Sequence, residues 1–70
     1  MNYIEWADEY YENALRVKAV IDKKKKRMKE EKLTADERKK LTDDIKAYRQ
    51  IYRELTEIGD TLRDRQVRSA

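Results

Sequence analysis

The chain has no cysteine, no histidine and no proline, and only one glycine and one serine among its 70 residues. Without cysteine there can be no disulfide, and without cysteine or histidine no thiolate or imidazole metal site. No metal or cofactor is therefore expected. The lack of cysteine also fits an intracellular protein. No apolar run approaches the roughly 20 residues that span a bilayer, and the opening Met1-Asn2-Tyr3-Ile4-Glu5-Trp6 lacks the basic-then-apolar layout of a signal peptide. These absences lead us to expect a soluble, cytoplasmic protein with no membrane attachment.

The catalytic inventory is equally thin. Catalysis needs groups of tuned pKa gathered in a water-poor pocket. The one serine is Ser69, near an end expected to fray, and no glycine-rich phosphate loop occurs. Acid pairs such as Asp8/Glu9 and Asp43/Asp44 are sequence neighbours, which a helix turns about 100° apart. The sequence points away from an enzyme.

What the chain does have is charge, on 47% of its residues. A chain this polar stays disordered unless its apolar residues are placed for burial, and here they are. Tyr3, Ala7, Tyr10, Ala14, Val17, Ile21 and Met28 recur at steps of four and three, missing one beat at Lys24. Leu41, Ile45, Tyr48, Tyr52, Leu55 and Leu62 do the same, with Gly59 on the missing beat. Such steps put side chains on one helical stripe.

The two stripes are out of phase. Extending the first gives positions 31, 35, 38 and 42, whereas the second uses 41 and 45. A turn between them removes the slip that one helix would have to absorb. Thr34-Ala35-Asp36-Glu37 supplies a capping box for a new helix, Thr34 capping the amide of Glu37 while Glu37 reaches back. The usual glycine after the first helix is missing. Helices are predicted at about 3–31 and 35–65, in a single domain over residues 1–70. Folding the chain so that facing positions sum to 69 sets Ala7 against Leu62, Ala14 against Leu55, Ile21 against Tyr48 and Met28 against Leu41. Tyr10 then falls opposite Gly59 and Val17 opposite Tyr52, so large residues meet small ones along most of the seam.

A two-helix seam leaves apolar residues over. Trp6, Val20, Ile51 and Ile58 flank it on one side, and Ile4, Tyr11 and Leu15 widen the first helix on the other. Scattered exposed apolar side chains are ordinary, but a contiguous flank with a tryptophan and two isoleucines marks an interface. Seventy residues without staples is also at or below the length at which one core comfortably supports a fold. Self-association, with a dimeric four-helix bundle as its simplest form, or a heterologous protein partner would cover that flank.

The net charge of +3 hides a pattern. Residues 1–17 carry one cation and four anions, residues 18–40 eleven cations and five anions, and residues 41–70 six of each. Lys23, Lys24, Lys25, Lys26, Arg27 and Lys29, together with Arg38, Lys39 and Lys40 across the turn, form a cationic knob suited to a polyanion or an acidic partner. Consecutive cations circle a helix rather than line one face, and Glu30, Glu31, Asp36 and Glu37 dilute the field. The plainer reading is a solvated helix end whose cations complement the helix dipole. Tyr48-Arg49 and Tyr52-Arg53 suggest base stacking, but both tyrosines lie on the core stripe.

The opening Ile4-Glu5-Trp6-Ala7-Asp8-Glu9-Tyr10-Tyr11, running into a lysine-rich hairpin, resembles short proteins encoded by phages and mobile elements of Gram-positive bacteria. That resemblance covers about half the chain and is one of style. It implies a protein that disables or redirects a host machine, nuclease-based defences included. The expected architecture is also similar to that of Rop, a plasmid hairpin that dimerises into a four-helix bundle and binds paired RNA loops. The likeness is of shape alone. The sequence thus leads to a non-catalytic oligomeric binding module, an inhibitor or adaptor of a partner protein. The alternative is a Rop-like hairpin dimer binding RNA or DNA through its basic turn end.

Overall fold

Asn2 opens the first helix. Its backbone is extended (φ −99°, ψ 173°), its side-chain oxygen accepts the Glu5 amide at 2.9 Å, and its carbonyl accepts the Trp6 amide at 3.2 Å. These bonds satisfy amides that a helix start leaves open. The computed structural model describes residues 2–69, with side-chain surroundings for residues 2–68. Met1, Ala70 and the side chain of Ser69 lie outside that description. Among the described residues all regular structure is helical: α1 spans Tyr3–Glu30 and α2 spans Ala35–Ser69. The two pack antiparallel along their length into a rod of 54 × 15 × 14 Å.

The turn dispenses with glycine because the chain leaves α1 in an extended conformation, not a left-handed one. Glu31 has φ −100° and ψ 143°, and its amide donates to the Arg27 carbonyl at 3.0 Å. No described residue has a positive φ. Thr34 then caps α2, its hydroxyl oxygen accepting the Glu37 amide at 3.2 Å. Glu37 reaches back, though to the Thr34 hydroxyl (3.1 Å) and not to the backbone amide of the usual capping box. Leu33, which belongs to neither stripe, is half-buried at the turn.

α2 runs four residues past its expected end at 65. Gln66 explains the extension, because its side-chain oxygen accepts the Tyr3 amide at 3.2 Å. The last turn of α2 thereby supplies a partner to the first turn of α1. An Arg68–Asp64 pair (3.2 Å) lies on the same last turns.

Ala7, Ala14, Ile21, Leu41, Ile45 and Leu62 are buried along the seam, and Gly59 with them. Tyr3, Tyr10, Val17, Met28, Tyr48, Tyr52 and Leu55 are half-buried, as befits a seam with only two walls. The cross-helix bonds Tyr3–Gln66, Tyr11–Asp60 and Lys24–Asp44 join residues whose numbers add to within two of 69. One detail of the expected register is corrected. The ring packed on Gly59 belongs to Tyr11, not Tyr10: a Cβ at Gly59 would lie 2.8 Å from Tyr11 Cε1. Tyr10 lines a groove with Trp6 and Ile58 on the other side of the seam. The missing side chain therefore accommodates a flanking tyrosine leaning over the seam, and not a residue on the stripe itself.

Candidate interaction surfaces

The two flanks of the seam differ. On the first, Trp6, Glu9, Tyr10, Asn13, Ile58 and Leu62 line an open groove of about 370 Å³. A neighbouring hollow continues over α2 between Glu54, Ile58, Thr61 and Arg65. Trp6 is 45% exposed, Ile58 42% and Ile51 41%, while Val20 is half-buried. Trp6, Asn13 and Val20 follow at intervals of seven on α1, and Ile51, Ile58 and Arg65 on α2, so this flank continues along both helices. Tyr3 meets Trp6 edge to face, with ring centroids 6.1 Å apart. That contact holds the indole at the end of the groove.

The second flank is partly covered by the Tyr11 side chain. Tyr11 lies on Gly59 and its hydroxyl donates to Asp60 Oδ1 at 2.5 Å. The hydrogen bond to the Asp60 carboxylate holds the Tyr11 phenol above its ordinary pKa; partial desolvation and then the Asp60 charge act the same way, and Arg63 opposes them. Ile4 lines a hollow of about 360 Å³ here with Ala7, Asp8, Tyr11 and Arg63. Leu15 stands apart and highly exposed. Of the residues expected on this side, Tyr11 thus has an intramolecular role.

At the turn end, Lys23, Lys25, Lys26, Arg27, Lys29, Arg38, Lys39 and Lys40 are all exposed. Arg27 is bound to Glu31 at 2.6 Å, and this carboxylate raises the guanidinium pKa further, with Glu37 adding to the effect. Lys24 differs from the rest. It is the missing beat of the first stripe, and it turns inward across the seam. Its ammonium lies 3.3 Å from Asp44 Oδ2 and 5.6 Å from the centre of the Tyr48 ring, with the side chain 25% exposed. Tyr48 is accordingly engaged at the seam. Tyr52 lines a surface hollow with Arg49 and Arg53.

Three contributors, Asn2, Val67 and Gln66, were not singled out from the sequence, and Lys24 was expected only as part of the cationic knob. Asn2 is a helix-starting residue by type, and that signal was available. Val67 is exposed beyond the expected end of α2. The roles of Gln66 and Lys24 depend on which residue faces them across the seam. No helix among the described residues is long and apolar enough to cross a membrane. Compared with protein-family models, curated proteins and solved structures, the chain matches none.

Proposed function

We propose that this chain is a non-catalytic binding module, a small helical oligomer that inhibits or adapts a partner protein. The observation that carries the reading is the open flank of Trp6, Ile51 and Ile58 beside a seam whose buried apolar residues are few, two of them alanines. A hairpin with so little interior gains stability by covering that flank, and a four-helix bundle covers it with a second hairpin. The cationic turn end then projects as the surface offered to an acidic partner. An inhibitor of a host machine, the role implied by the resemblance to phage and mobile-element proteins, fits this design.

The test is capture of partners from lysate at moderate salt with nuclease present. Wild-type protein is compared with a variant in which Lys25, Lys26, Lys39 and Lys40 are glutamine. Specific protein recovered by the first and lost by the second supports the reading. Recovery of none by either sinks it.

The exposed lysines support a second reading, in which the turn end binds RNA or DNA in the manner of a Rop-like dimer. That reading requires affinity that falls steeply with added salt and disappears when residues 23–27 become glutamine.

A further inference from the structure

From the distribution of charge along the whole rod we infer that its open flank is covered by a second copy of this chain running antiparallel. The two-fold axis crosses the rod at the level of Asn13 and Thr56. This inference rests on the oligomeric part of the reading above and adds the face, the direction and the register.

Three observations carry it. The first is area. The chain exposes 5759 Å², whereas a compact monomer of its 8.5 kDa mass exposes roughly 4,700 Å². The excess, on the order of 1,000 Å², is close to the roughly 800 Å² that each partner buries in a standard interface. The long rod shape provides one extended face on which to bury it.

The second is charge. On the terminal side of Asn13 and Thr56, residues 2–12 and 57–68 carry seven anions and three cations. On the turn side, residues 14–24 and 45–55 carry seven cations and two anions. An antiparallel copy with its axis at this level lays the acidic half of each rod on the basic half of the other. Glu9, on the groove of one rod, then comes beside Arg16 of the partner subunit. A parallel copy sets acid on acid and base on base, and brings both cationic turn ends together. Like charges juxtaposed in this way oppose association.

The third is the apolar pattern. In the antiparallel register Trp6 meets Val20 of the partner subunit, Ile51 meets Leu62 of the partner subunit, and Ile58 meets Leu55 of the partner subunit. Asn13, the polar interruption between Trp6 and Val20, falls on the axis and meets its own copy. An amide is self-complementary there, each copy donating N–H and accepting at oxygen, and a single such residue fixes register in helix assemblies. Among the described residues its oxygen accepts from Arg16 Nη1 at 3.5 Å, the outer limit of a hydrogen bond.

Single cysteines test direction cleanly, because the chain has none of its own. Asn13→Cys and Lys32→Cys both replace exposed residues, and circular dichroism verifies that both variants stay helical. Sedimentation equilibrium of wild-type protein should give a dimer, with Trp6 emission moving to shorter wavelength as concentration rises. In a glutathione redox buffer Asn13→Cys should link into a disulfide dimer, and Lys32→Cys should remain unlinked. Any other linking pattern in a dimeric protein overturns the proposed face and direction while leaving the oligomeric reading in place. A wild-type protein that stays monomeric at every concentration removes both.

Discussion

The ring of Tyr11 rests on Gly59 so closely that one added methyl group would meet it at 2.8 Å. Two effects of Gly59→Ala therefore compete. Alanine favours the helix by about 1 kcal/mol, and overpacking against the ring costs about 1–3 kcal/mol. Since the ring cannot swing away without giving up Asp60, the expected result is net destabilisation by about 1 kcal/mol in urea unfolding. In a Tyr11→Ala background the clash is gone, and the same substitution should stabilise by about 0.5–1 kcal/mol. Equal effects in both backgrounds would show that the ring does not constrain the glycine.

The Tyr11–Asp60 bond gives a pH dependence of known sign. The folded-state phenol pKa is raised, chiefly by the Asp60 carboxylate. The associated stability is therefore complete below the unfolded value of about 10 and is lost as pH rises through the higher folded value. Tyr11→Phe keeps the ring on Gly59 and removes this term. The stability difference between wild type and Tyr11→Phe should be flat near neutrality and shrink only above about pH 10. An ultraviolet titration comparing the two should place the Tyr11 ionisation above that of free tyrosine.

Lys24 and Lys25 are adjacent and should behave oppositely. Lys24→Gln removes the Asp44 pair and the contact with Tyr48, so it should cost about 0.5–1 kcal/mol. Lys25→Gln should leave stability unchanged. Against polyphosphate as probe, Lys25→Gln should lower the slope of log affinity against log salt by about 1. Lys24→Gln should barely move it. Identical salt slopes for the two variants would contradict the division between a seam lysine and surface lysines.

Thr34→Ala removes the oxygen that holds the Glu37 amide and should cost about 1 kcal/mol. Thr34→Ser keeps it and should cost much less. Loss of the same stability in both would mean that the hydroxyl bond contributes nothing and the methyl group everything.

Much of this architecture was legible because steps of three and four report directly on which side of a helix is buried. Ala7, Ala14, Ile21, Leu41, Ile45 and Leu62 are all interior, and Thr34 caps as its spacing to Glu37 implied. What periodicity does not encode is how far a side chain leans. Tyr10 and Tyr11 differ by one position, and which of them reaches Gly59 depends on ring direction across the seam. The same holds for Lys24, which reads as one of a run of like charges and acquires its role only from Asp44 and Tyr48 opposite. Gln66 is polar and sits past the last apolar beat, so nothing local marks it as the partner of Tyr3. The open flank was readable as a set of residues. That Tyr11 folds over Gly59 on the other flank and bonds Asp60 was not.

Because the Tyr3 amide is held by Gln66, the two ends of the hairpin sit side by side, and this decides how the rod responds to force. A pull applied at the two ends acts across the helices and loads one layer of the seam at a time, beginning at that bond and moving toward Thr34. A pull along the axis, from the turn to the ends, would instead stretch both helices in parallel and load their own backbone hydrogen bonds rather than the seam. The hairpin is therefore mechanically weak in the one direction in which its own termini can be pulled apart. A second copy lying across both helices would resist that peeling.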